Sequence, residues 1–386
     1  MRAKSFLARH WQKEPLFLPG AITGLSPTLE PGELAWLATQ PDVESRLIYT
    51  ERNDGDTAYR VESGPFDHEL LSNLPERDWT LLVQDVDKHL PDFAQLFSLV
   101  AFIPDWRIDD LMISFAAPGG SVGPHMDNYD VFLCQGSGQR EWRLANTDEA
   151  AASDACEQLA LLKPFTDPRP QRVENGDVLY LPPGVPHWGI AMGACMTYSI
   201  GMRAPELEEL RLCFEREFPD SVNPFFARSD DRPIFYRDPD LRPEEAVPGQ
   251  LSPQAVARCR GLIPDTSSIE DRLLAITLGC VATDVKAWLA PETPSLEELR
   301  DFLGTADPTE SIAVHGMSRV AWWAGDDELH VYANGYYQST ALHQLDFVKD
   351  LCASRQIDGR LLISPTRSEL IEWLLNVGAF DLFVND

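Results

Sequence analysis

His125 and Asp127 stand two residues apart in Gly123-Pro124-His125-Met126-Asp127, behind the turn-forming run Pro118-Gly119-Gly120. The pattern predicts a strand entered through a tight turn, and in a strand residues i and i+2 project to one face. An imidazole and a carboxylate would then share one wall, as two members of a metal-binding face. A third donor of the right kind lies far downstream at His187. Asn175-Gly176-Asp177 reads as a turn, Val178 to Leu181 as a short apolar strand, and Pro182-Pro183-Gly184-Val185-Pro186 as a rigid bend. His187 opens the next strand, Trp188 to Met192. Rigid backbone on both sides of a histidine holds its ring in place before a metal arrives.

Two histidines and one carboxylate on one face, with the opposite positions open, make the facial triad of non-heme Fe(II) oxygenases. A lone H-x-D tripeptide carries little weight, and a histidine after proline is commonly a satisfied loop residue. The joint pattern carries more: H-x-D after a glycine-rich turn, then G-D-x-L-Y-x-P-P-G-x-P-H, both inside a strand-rich run. Mn(II), Ni(II) and Zn(II) can occupy such a site as well as iron.

At these residues the chain resembles the JmjC/cupin-type 2-oxoglutarate oxygenases, and within them the bacterial ribosomal oxygenases. The likeness rests on Asp109-Asp110-Leu111-Met112-Ile113-Ser114-Phe115, on Pro118 through Phe132, on Gln135-Gly136-Ser137-Gly138 with Arg140, Trp142 and Arg143, and on the turn into His187. It is strong through residue 205 or so and looser beyond. The resemblance implies a double-stranded β-helix (jelly roll) of the cupin-like JmjC type. It also implies Fe(II) held by His125, Asp127 and His187, with 2-oxoglutarate and O2 as cosubstrates. The activity it implies is hydroxylation of an arginine in ribosomal protein sixteen of the large subunit, with succinate and CO2 as co-products.

The far carboxylate of 2-oxoglutarate needs a cation and a hydroxyl in a dry cavity, since an unpaired buried carboxylate is very costly. Arg140 is the candidate cation. It follows the Gly136-Ser137-Gly138 turn and shares a strand face with Trp142, while Arg143 points to the other face and to solvent. The alternative for Arg140 is a surface strand arginine. Ser114 is the candidate hydroxyl, with Thr197 or Ser199 as substitutes. Both Arg140 and Ser114 match cosubstrate-binding positions of the resembling family. Beyond the metal ligands no further catalytic residue is assigned. The same triad could demethylate N-methyl-lysine, because hydroxylating an N-methyl group removes it. A non-catalytic cupin-type assembly factor is the reading from another class, and an arginine for the cosubstrate beside an intact triad argues against it.

The elements that must position these groups divide the chain in three. Residues 1–205 hold the catalytic barrel, with strands at Leu111–Ala116, Tyr129–Gln135, Arg140–Leu144, Val178–Leu181, Trp188–Ala191 and Met196–Met202. Ahead of it stand a helix with Phe6 and Trp11 on one stripe and a hairpin turning at Asn53-Asp54-Gly55-Asp56. Residues 206–280 read as helical and suited to dimerisation, with a proline-rich loop at Ser229 to Pro248; the resembling family forms homodimers. Residues 281–386 read as a small α+β, winged-helix-like unit with turns at Ala324–Asp327 and Asn334-Gly335.

Composition sets the outer limits. The chain has 386 residues and a net charge of −29, from 32 Lys+Arg against 61 Asp+Glu. That balance argues against a nucleic-acid surface, which needs a basic footprint, and suits a basic protein partner. It holds for the winged-helix-like segment too, where seven Lys/Arg from residue 281 onward face seventeen Asp/Glu. Seven scattered Cys form no CxxC pair, and neither a signal peptide nor a membrane span is legible. The expectation is a cytoplasmic protein with its thiols reduced.

Overall fold

Alternating apolar and polar residues build half-buried strands, and continuous apolar runs build strands buried on both faces. Both patterns meet in the computed structural model, which describes residues 2–53, 56–146, 151–225, 233–263, 269–305, 309–364 and 368–382. Two compact units emerge, Met1–Val100 with Ile108–Met202, and Ala101–Arg107 with Arg203–Asp386. Residues 206–280 and 281–386 thus share the second unit.

The first unit carries eleven described strands: β1 (Leu16–Leu18), β2 (Ser45–Asn53), β3 (Asp56–Ser63), β4 (Trp79–Val83), β5 (Ile108–Ala116), β6 (Val131–Ser137), β7 (Gln139–Leu144), β8 (Arg169–Glu174), β9 (Val178–Leu181), β10 (His187–Ala191) and β11 (Cys195–Met202). One sheet runs β1-β9-β6-β11-β5-β4-β2-β3, and a second runs β10-β7-β8, all antiparallel. This is the jelly roll that the sequence predicts. Every residue of β11, the strand between β5 and β6, is buried. In β7 the alternation is regular: Arg140, Trp142 and Leu144 are buried, and Glu141 and Arg143 are not. Arg143 lies outward as expected, with its guanidinium 5.0 Å from the Trp188 ring and 3.0 Å from Glu141.

The N-terminal helix Ala3–Arg9 closes one side of this unit. Phe6 meets Tyr180 edge-on at 4.8 Å, Trp11 stacks on Tyr180 at 6.1 Å, and the backbone N–H of Gln12 donates to the Tyr180 hydroxyl. The turn expected at Asp54-Gly55 lies outside the described residues, as do residues 229–232 of the proline-rich loop.

The second unit adds β12 (Ser311–Ala313), β13 (Val320–Ala324), β14 (Glu328–Ala333), β15 (Tyr336–Ala341) and β16 (Gln356–Asp358). β13, β14 and β15 form a meander, and Asn334 and Gly335 both take positive φ, as a two-residue hairpin turn requires. Helices Leu207–Glu217, Pro253–Arg260 and Asp271–Thr283 pack into one core with Tyr332 and Ala321. Ser252 caps the second of them by accepting from the Ala255 N–H. No helix among the described residues is long and apolar enough to cross a membrane.

Candidate metal centre

The structure brings together the three donors that are scattered in sequence. One ligand atom each from His125, Asp127 and His187 lies within 4.8 Å of the others. The His125 and His187 rings are 4.2 Å apart at 61°, and His187 Nε2 is 3.6 Å from Asp127 Oδ2. His125 and Asp127 do not sit in a regular strand, as the spacing predicts. They lie in an extended segment ahead of β6, which begins only at Val131. The reason is the company the segment keeps. His125 exchanges both backbone hydrogen bonds with His187 (2.9 and 2.8 Å), and the Asp127 carbonyl accepts from the Gly184 N–H (2.8 Å). The loop therefore pairs with the mouth of β10 and with the Pro-Pro-Gly bend.

The same backbone sets the proton positions. His125 Nδ1 lies 2.9 Å from the Gly123 carbonyl and His187 Nδ1 lies 2.9 Å from the Val185 carbonyl. A carbonyl only accepts, so each Nδ1 carries the hydrogen and each Nε2 keeps its lone pair. Burial, with the neighbouring His125 charge next, pushes His187 down to about 4, against the opposing pull of Asp127. A neutral imidazole with a fixed tautomer is the form that ligates a metal. Two imidazole nitrogens and a carboxylate oxygen on one face therefore fit Fe(II) and leave its other positions open.

Ser121 ties this arrangement together, and nothing in the sequence singled it out from other small polar turn residues. Its hydroxyl donates to the Gly189 carbonyl (2.7 Å) and accepts from the Gly123 N–H and Trp188 Nε1 (3.0 Å each). The metal loop is thereby tied to β10. Gly123 needs its glycine, with φ at +85° and a Cβ position 3.0 Å from Leu161 and Tyr59.

The triad opens into a cavity of about 280 Å³ whose wall includes Arg140, Ser114, Thr197 and Ser199. Arg140 is only 5% exposed, and its Nε and Nη2 have no hydrogen-bond partner among the described residues. Ser114 is buried on β5, opposite Thr197 on β11. Thr197 is the weaker substitute, because its hydroxyl donates to Gln135 Oε1 (3.1 Å). The same cavity is lined by Asp110, Met112 and Tyr129, which the sequence did not single out for the site. Burial, then the charges of Asp109 and Asp85, pushes Asp110 up to about 7. The charge of Asp127 comes first in raising the Tyr129 phenol, with burial second.

Known proteins resemble this chain in sequence and in fold. A JmjC domain model matches residues 95–210. The chain is 39% identical over 263 residues to the ribosomal protein uL16 3-hydroxylase of Escherichia coli, a match that covers 67% of this chain and 65% of that enzyme's length. It is 28% identical over 369 residues to a probable ribosomal oxygenase of Haemophilus influenzae, covering 92% and 86%. Among solved structures, E. coli ycfD superposes with a TM-score of 0.70 at 31% identity, over 99% of this chain and 98% of that one. The same ribosomal oxygenase in complex with cobalt and 2-oxoglutarate matches with a TM-score of 0.68 over the same spans.

Proposed function

The chain belongs to the JmjC-domain ribosomal oxygenases, and on that premise we propose that it is an Fe(II)- and 2-oxoglutarate-dependent hydroxylase of an arginine side chain in a large-subunit ribosomal protein. The observation that carries the reading is one cavity holding both the triad and a buried arginine with two unpartnered donors. In this reading His125, Asp127 and His187 hold the metal. Arg140 takes the distal carboxylate of 2-oxoglutarate in a two-pronged ion pair, with Ser114 supplying a hydroxyl. The bound metal supplies the oxidative step, which joins decarboxylation of 2-oxoglutarate to insertion of oxygen into a substrate C–H bond.

The chain's own residues bind, orient and exclude water. β11, buried along its whole length, presents Thr197, Ser199 and Gly201 to the cavity. Asp110 supports a basic substrate side chain. A carboxyl held near 7 by burial and like charge gains most from an arriving cation, which lowers its pKa and ionises it. The net charge of −29 would steer a basic ribosomal protein toward the site. The proposal extends to a cytoplasmic homodimer. Helix Asp271–Thr283 spends its apolar surface within its own unit, so the dimer contact must draw on other surfaces, and light scattering on purified protein tests the assembly.

The test is intact mass of purified large-subunit ribosomal proteins after incubation with the chain, Fe(II) and 2-oxoglutarate. One protein should gain a single oxygen, with matching succinate. Asp127→Ala should lower that rate about 10³-fold, the scale of several kcal/mol of lost metal assistance. Succinate without any modified ribosomal protein, or loss of a methyl group from a methylated lysine substrate, would sink the reading.

A further inference from the structure

We propose that the indole N–H of Trp142 is a second donor to the 2-oxoglutarate carboxylate that Arg140 receives. The inference rests on the oxygenase reading above and adds a binding residue to it. Trp142 is 4% exposed, lines the cavity, and its Nε1 has no hydrogen-bond partner among the described residues. Other indoles in the chain are satisfied: Trp79 donates to the Pro75 carbonyl, Trp188 to Ser121 Oγ and Trp322 to the Pro248 carbonyl. A buried N–H left unpaired is destabilising, so such a group is kept where something else completes it. Val131, Leu133 and Leu179, which share its apolar cluster, offer no side-chain acceptor.

Proximity to Arg140 points to the acceptor. Trp142 lies two residues from Arg140 on the inner face of β7, with the guanidinium carbon 5.6 Å from its ring. Its Cε3–Cζ3–Cη2 edge faces Gly189 on β10, where an added Cβ would come within 2.7 Å. The pyrrole edge, which carries the N–H, is therefore turned away from β10. A carboxylate offers about four lone-pair positions. Arg140 Nε and Nη2 fill two as a fork, Trp142 fills a third, and Ser114 is placed to fill the fourth. Glycine at 189 is explained by the same contact, since any side chain there would push the indole out of place.

The test is isosteric removal of the donor. Trp142 is replaced with β-(3-benzothienyl)alanine, which exchanges N–H for sulfur and keeps the ring. With Zn(II) loaded in place of iron, the dissociation constant for 2-oxoglutarate, read by calorimetry, should rise about tenfold, the loss of one hydrogen bond to a charged group. Zn(II) affinity should be unchanged. In the unaltered protein, labelled with ¹⁵N-indole tryptophan, the Trp142 N–H resonance should move downfield on adding 2-oxoglutarate. Unchanged affinity in the isostere, or a stationary resonance, would overturn the inference while Arg140→Leu still lost 2-oxoglutarate. Absence of 2-oxoglutarate binding by the unaltered protein would instead remove the oxygenase reading itself.

Discussion

Two arginines are buried among the described residues, and their partners differ. Arg107 is fully buried in the second unit. Its Nε and Nη2 reach Asp238 at 3.1 and 3.2 Å, its Nη1 donates to the Arg203 carbonyl, and the Tyr236 ring lies 5.3 Å from its guanidinium carbon. Arg140 is buried almost as deeply in the first unit, and the same two donors, Nε and Nη2, meet no partner among the described residues. A buried charge that meets a protein carboxylate belongs to the fold. One that meets a cavity is held for a ligand, because leaving it unpaired costs stability and nothing in the fold recovers that cost. Trp142 sits on the Arg140 side of this division.

The comparison can be broken by exchanging the outcomes. Asp238→Ala should have the largest effect, a loss of about 3–5 kcal/mol in unfolding free energy, because it strands Arg107 without a counter-charge. Denaturant titration reads it, and turnover per folded molecule should hold. Arg140→Leu should do the reverse. The melting temperature of the ligand-free protein should not fall, while 2-oxoglutarate affinity should drop about 10²-fold through loss of a two-pronged charged contact. A matching stability loss in Arg140→Leu would place Arg140 with Arg107 as a structural residue.

The smallest effect belongs to Asp110→Asn and depends on pH. The carboxyl ionises near 3.8 in the unfolded chain and near 7 when folded, chiefly because of burial. The folded protein therefore loses stability as pH rises from about 4 to about 7, and Asn escapes that loss. The variant should be about 1 kcal/mol more stable at pH 8 and no more stable at pH 4, allowing for screening by solvent. Its affinity for the ribosomal substrate should fall at pH 8. Equal stability differences at both pH values would show that Asp110 titrates in its ordinary range.

Much of this site is legible in the chain itself, for identifiable reasons. His125 and Asp127 are close in sequence, and His187 sits between proline-stiffened backbone and a strand, so local pattern alone nominates the three. The two-residue period of β7 places Arg140 and Trp142 on one face and Arg143 on the other, as the structure has them. Asp110 stands in the string that carries the family likeness but was given no role, because only the pairing of β5 with distant strands brings it to the cavity wall. Ser121 was passed over because its hydrogen bonds reach Gly189 and Trp188, far along the chain.

Residue order alone settles local matters: which residues can donate to a metal, where the backbone turns, and which strand face each side chain takes. Those follow from residue type and from short-range sterics. Tertiary structure decided the rest. It paired His125 with His187 backbone to backbone, assigned the proton to each Nδ1, and left Arg140 and Trp142 lining a cavity with donors that meet no acceptor among the described residues. Whether a polar group is satisfied depends on everything packed around it, and that is settled only when distant strands meet.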